Sequence, residues 1–174
     1  MQEQEEPILL QARVFKVVER TMTGRSGKEL KRQVVKHPGA VGIVPILADG
    51  RVLLIRQFRI TFEREIYEIP AGTLEPNEPP LETAKRELVE ETGYFPQEIR
   101  RLTAIYTSPG ILQEELTLYL ATNLKEGESA PEDGEKITLE PKTWVEIDQM
   151  IEREEIVDAK TLAGLYLAKR ALNI

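Results

Sequence analysis

The 174-residue chain has no cysteine, a single histidine (His37), and serine only at Ser26, Ser108 and Ser129. Without cysteine there can be no disulfide, thiol nucleophile, cysteine-held zinc or iron–sulfur cluster. One histidine cannot form a histidine metal cluster. His37, followed by Pro38 at an apparent strand end, reads as a residue without chemistry. None of the serines stands in a G-x-S-x-G elbow. No apolar run approaches the roughly 18 residues of a membrane-spanning helix. Basic charge is also in deficit: 23 Lys and Arg face 30 Asp and Glu, a net charge of −7. That balance argues against nonspecific binding to nucleic acid or an anionic membrane. A small anionic substrate stays open if a divalent cation bridges it to the protein. The chemistry left to this chain belongs to carboxylates, arginines and whatever ion carboxylates can hold.

The length suits one domain with at most a small appendage, and 41% hydrophobic with 30% charged residues is a soluble globular composition. The acidic start MQEQEEPILL lacks the basic-then-apolar pattern of a signal peptide, so a cytoplasmic protein is expected. Residues 8–22 and 30–36 read as two strands joined by a turn at Thr23–Gly27. Pro38-Gly39 then marks a border, giving an N-terminal β segment over 1–38 and a main domain over 39–174. The apolar runs AVGIVPIL and RVLLIRQF flank Asp49-Gly50, a strong hairpin signal, although Pro45 weakens the first as a central strand. A Gly/Pro-rich stretch follows Ile69. A helix is predicted over 81–92, with proline near its first turn and Gly93 after its last. Strands are predicted over 99–107 and 115–122, a polar loop over 125–136, a strand near Trp144-Val145, and a short helix after Asp148. A final helix is predicted from Asp158 to Leu172. This mix predicts an α/β fold with a mixed sheet.

The informative segment is 72–94, GTLEPNEPPLETAKRELVEETGY. On its helix Glu87, Glu90 and Glu91 stand at i, i+3 and i+4 and share one side. Leu81, Ala84 and Leu88 form an apolar stripe about 60° wide; Glu91 falls about 20° outside it and Glu87 about 60°. Three carboxylates so close repel one another unless protonated or neutralised by a cation. Hard oxygen donors in this number suit Mg²⁺ or Mn²⁺. Arg86 offers a plainer account, pairing with Glu82 and Glu90 on a solvated helix face.

The whole segment fits G-x5-E-x7-R-E-U-x-E-E-x-G-U, where U is bulky and apolar. Gly72, Glu78, Arg86, Glu87, Leu88, Glu90, Glu91 and Gly93 fill the fixed positions, and Tyr94 the last U. In this it resembles the Nudix hydrolase family. The resemblance implies a Nudix fold, a mixed β-sheet sandwiched between helices, and hydrolysis of a nucleoside diphosphate linked to another moiety. It implies Glu87, Glu91 and the Ala71 carbonyl as metal ligands, with Glu90 a third acidic ligand or a water-positioning acid. Arg86 would orient the glutamates and Glu78 brace the loop. Bound Mg²⁺ would lower the pKa of water and bridge phosphate oxygens, so no side-chain nucleophile is needed.

Outside the box the chain is similar to the ADP-ribose pyrophosphatase branch. The likeness rests on 35–41, Arg56-Gln57-Phe58-Arg59, Glu68-Ile69-Pro70-Ala71-Gly72 and Thr107-Ser108-Pro109-Gly110, with Pro109 standing 15 residues after Tyr94. Carried over by position, Arg59 would contact phosphate, Arg32 the adenosine end and Glu114 the terminal ribose, with Gly72 also on the substrate side. A catalytic base is implied in the 131–137 loop, with Glu135 the best match and Glu132 second. The branch also implies a homodimer formed through residues 1–38. The expected reaction is Mg²⁺-dependent cleavage of ADP-ribose to AMP and ribose 5-phosphate; GDP-mannose or another nucleoside diphosphate sugar is the alternative substrate. A non-catalytic nucleotide-binding module is a third reading, but such modules usually lose a box glutamate, and all are present here.

Overall fold

The computed structural model describes residues 6–127 and 136–174. The core is built on a four-stranded mixed sheet. Its strand β4 (Ala40–Pro45) runs parallel to β10 (Leu116–Glu126) and antiparallel to β7 (Ala71–Thr73); β10 pairs antiparallel with β8 (Tyr94–Ile105). Side chains alternate across this sheet. Val41, Ile43, Tyr119 and Ala121 pack on Ala84 and Leu88 of helix α1 (Pro80–Thr92). From the other face Val44, Leu116, Leu118 and Leu120 pack on Leu165 and Ala168 of α3 (Ala159–Leu172), with Ile147 and Met150 of α2 (Trp144–Glu152). The sheet is therefore sandwiched between helices, as the resemblance implied.

Two further sheets flank it. β5 (Val52–Arg59) pairs with β6 (Arg64–Glu68) and β11 (Ile137–Lys142). The N-terminal strands β1 (Ile8–Gln11), β2 (Lys16–Thr23) and β3 (Glu29–Lys36) form an antiparallel meander, and β3 joins β9 (Leu112–Gln113) in parallel. The turn at Thr23–Gly27 closes β2 onto β3 as expected, with Gly27 left-handed at φ 77°. The run read as one strand over 8–22 is instead broken between β1 and β2, where Ala12 N–H bonds the Phe15 carbonyl.

Four other expectations are corrected. The Asp49-Gly50 turn forms, but the hairpin ends after the single bridge Ile46–Val52, and β4 and β5 enter different sheets. Pro45 does not weaken β4, which is buried throughout. It sits at the last ladder position, opposite Ala121, and Ile46 N–H takes the Ala121 carbonyl beyond it. Trp144-Val145 is not a strand: the Thr143 hydroxyl accepts from Glu146 N–H, and the Glu146 carboxylate accepts from Thr143 N–H. This capping box starts α2 at Trp144 and overrides local β propensity; the strand lies upstream, in β11. In α1, Pro80 at the first position and left-handed Gly93 at the C-cap bound the helix as predicted. Leu81, expected on its buried stripe, is 37% exposed in the first turn, while Thr83 is fully buried.

Candidate active site

α1 and β7 bring the box residues together. Ala71 N–H donates to Glu91 Oε2 at 3.0 Å, which ties the buried Glu91 to the start of β7. Gly72 follows, and a Cβ there would lie 1.9 Å from Glu87 Cδ. Only glycine lets the Glu87 carboxylate rest on this backbone.

Arg86 organises the rest. Its Nε and Nη2 donate to the two oxygens of Glu78 at 3.0 and 2.9 Å. Its Nη1 donates to Glu87 Oε1 at 2.8 Å and to Glu90 Oε2 at 2.9 Å. The guanidinium thus braces the 72–79 loop through Glu78 and splints two glutamates that repel each other. Hydrogen bonding from Arg86 holds the Glu78 carboxyl down at about 2. The hydrogen bond to Glu78, with the charge of Glu87 and the hydrogen bonds to Glu90 and Glu87 behind it, raises Arg86. Of the two helix-face pairs expected for Arg86, the one with Glu90 forms and the one with Glu82 does not; Glu82 pairs with Lys85 instead.

Arg59 ends β5 with a bidentate bond from Nε and Nη2 to Glu68, at 2.7 and 2.8 Å. Arg59, Ala71, Gly72, Arg86, Glu87 and Glu90 line one cavity of about 760 Å³. Arg13, from the β1–β2 connection, lines it too. Sequence reasoning missed Arg13, because that connection was hidden inside a continuous strand prediction.

The other predicted residues lie elsewhere. Glu114 lines a separate hollow of about 610 Å³ with His37, Tyr106 and Pro109. There it accepts from Thr107 Oγ1 at 2.5 Å and lies 3.2 Å from His37 Nδ1. Arg20, not anticipated, lines the same hollow and donates to Gln113. Arg32 is exposed on β3, lines neither hollow, and bonds the Lys31 carbonyl. Glu132 and Glu135 lie outside the described residues.

Among the described residues no group of three or more acids is placed to hold a metal ion. The donor set still fits a hard divalent cation: carboxylate and carbonyl oxygens only, at the cradle Gly72 leaves for Glu87, with three glutamates to one splinting arginine.

The profile of the NUDIX domain matches residues 36–165, and the chain belongs to the Nudix family of hydrolases. Nudix hydrolases generally need a divalent metal. Within the family, this chain is 41% identical over 152 residues to the ADP-ribose pyrophosphatase of Bacillus subtilis (strain 168), a match covering 85% of this chain and 82% of that protein. It is 39% identical over 142 residues to the methanol dehydrogenase activator of Bacillus methanolicus, covering 80% and 77%. The crystal structure of an ADP compounds hydrolase shares the fold, with a TM-score of 0.82 over 98% of this chain and 95% of that one, at 23% identity.

Proposed function

We propose that this enzyme hydrolyses the pyrophosphate bond of ADP-ribose to AMP and ribose 5-phosphate, with Mg²⁺ as cofactor and Mn²⁺ as a substitute. The observation that carries the reading is the shared cavity: Arg59 lines one space with the box acids Glu87 and Glu90. A pyrophosphate needs both a fixed cation for its oxygens and carboxylates for a metal.

In this reading the Ala71 carbonyl, Glu87 and Glu91 hold the ion, and Glu90 is a further ligand or positions water. A divalent ion bound there makes water more acidic and offsets phosphate charge. Arg86 keeps Glu87 and Glu90 from splaying apart, and Glu78 holds Arg86. Arg59 takes phosphate oxygens and Glu114 accepts hydrogen bonds from the terminal ribose; Gly72 belongs to the substrate side by the resemblance alone. Glu135 receives the proton of the attacking water. The assignment of Arg32 to the adenosine end rests on the resemblance alone.

Residues 1–38 form the dimerisation segment of a homodimer, and 39–174 the catalytic domain. Exposed Ile8, Leu9, Leu10 and Met22 on the N-terminal strands, with Phe15 in the connection between the first two, support an interface there. Light scattering should show a dimer, and deletion of 1–38 should abolish both dimer and activity; an active monomeric truncation would count against it. Among the described residues no helix is long and apolar enough to cross a membrane. The location in this reading is cytoplasmic and the partner a small nucleoside diphosphate sugar.

A substrate panel with Mg²⁺ tests the central claim. kcat/KM for ADP-ribose should exceed that for GDP-mannose at least tenfold, about 1.4 kcal/mol of differential transition-state binding. The reverse ratio would assign the enzyme to nucleoside diphosphate sugars such as GDP-mannose.

A further inference from the structure

Glu68 is almost fully buried at the end of β6, with 1% of its side chain exposed. Burial pushes its carboxyl up, but the hydrogen bond from Arg59 and the charges of Lys160 and Arg59 outweigh that and hold it ionised. Its Oε1 takes Arg59 Nε; its Oε2 takes both Arg59 Nη2 and Lys160 Nζ. Lys160 is 13% exposed and also meets Asp158, the N-cap of α3, at 3.0 Å.

Two features of this cluster run against stability as its purpose. A buried ion pair seldom outperforms apolar side chains of the same volume. A lysine in the first turn of a helix also opposes the helix dipole, which favours anions there. The cluster does have a clear geometric effect. Both Arg59 donors used by Glu68 lie on one edge of the guanidinium. Nη1 takes no partner among the described residues, and Arg59 lines the carboxylate cavity.

We infer that Glu68 and Lys160 are positioning residues: together they fix the Arg59 guanidinium at the cavity wall for a substrate phosphate. Glu68 sets its orientation through two parallel hydrogen bonds. Lys160 shares the Glu68 charge, so Arg59 is oriented without being neutralised, and anchors the clamp to α3 through Asp158. The first turn of α3 is thereby part of the phosphate-binding apparatus although it touches no substrate. This inference rests on the proposed role of Arg59 and reaches beyond the box and the flanking motifs, neither of which includes Lys160.

The test is steady-state kinetics on the full-length protein with the substrate that the panel ranks first, alongside urea unfolding. Lys160→Met should raise KM about tenfold and leave kcat within threefold, the pattern of lost uniform binding. Lys160→Arg, which keeps the charge, should recover most of that KM. In an Arg59→Ala background, Lys160→Met should add less than a twofold change, because the residue acts only through Arg59. If Lys160→Met does not fold, Glu68→Gln carries the same prediction. An unchanged KM for Lys160→Met beside a raised KM for Arg59→Ala would overturn the inference and leave the role of Arg59 standing. An unchanged KM for Arg59→Ala would overturn both. Lowered stability with unchanged KM, or additive effects in the double variant, would reduce the cluster to a structural one.

Discussion

Gly72 and Glu87 are in such close contact that a Cβ at position 72 would stand 1.9 Å from the Glu87 carboxyl carbon and 2.0 Å from its Oε1. The backbone of β7 is the floor on which a box glutamate rests. Glu87 is long and flexible, so an added methyl group displaces the carboxylate rather than the strand. Gly72→Ala is therefore expected to fold, with a stability loss of about 1–3 kcal/mol at most, and to raise the Mg²⁺ concentration for half-maximal rate at least tenfold. A metal titration of activity beside thermal unfolding separates these effects. A normal metal requirement would remove Glu87 from the ligand set.

Glu91 accepts the Ala71 amide, and a glutamine can keep that bond through its carbonyl oxygen. Glu91→Gln should fold, since removing one of several repelling carboxylates relieves strain, yet lose orders of magnitude in rate. Chelation should silence the wild type in the same way. Full turnover in excess EDTA would show that no metal is held by these acids.

Arg86 holds the Glu78 carboxyl at about 2, against an ordinary value of 4.5. A depressed folded-state value stabilises the protein fully above pH 4.5, and that stabilisation is lost as pH falls through 2. Glu78→Gln should thus be less stable than wild type at pH 7, and the gap should narrow between pH 4.5 and 2. Urea unfolding across that window measures it; a gap independent of pH would mean that the ion pair contributes nothing to stability.

Glutamates bound to a cation are poor bases, because the cation lowers their proton affinity. The general base is therefore sought outside the box, at Glu135. Glu135→Gln should cut kcat by about 10²–10⁴-fold, with KM and metal affinity little changed. Glu132→Gln is the comparison. A Glu135→Gln rate within threefold of wild type would pass the role to Glu132, then Glu114, then Glu90.

The box was readable in the sequence because its residues are local: thirteen helical positions and a preceding glycine place Glu87, Glu90, Glu91 and Arg86 by helix periodicity alone. The apolar run of β4 and the segment of β10 were likewise legible as strands, whereas a sheet covered by helices on both faces was implied by the resemblance. What failed depends on partners remote in sequence. No local pattern shows that β4 and β5 part at Asp49-Gly50, since that is decided by β10 and β11, more than sixty residues away. Trp144-Val145 was misread for the opposite reason: the capping pair Thr143 and Glu146 was present in the sequence and was outweighed by β propensity. Arg13 and Lys160 carried no signal, because each reaches the cavity or its clamp only through tertiary packing.

Since β4 and β5 separate after Ile46 and Val52, Arg59 and Gly72 are carried by different sheets, and the carboxylate cavity spans the seam between them. The link across that seam is short: Glu68 ends β6, Ala71 begins β7, and between them Ile69 N–H bonds the buried Thr161 hydroxyl. Ile69 also packs between α3 and β4, where Cβ atoms on Gly42 and Gly164 would stand 3.1 and 3.0 Å from its Cδ1. The arginine and the glutamates are consequently held by two separate sheets, and the apolar Ile69 is the wedge packed in the short link between them.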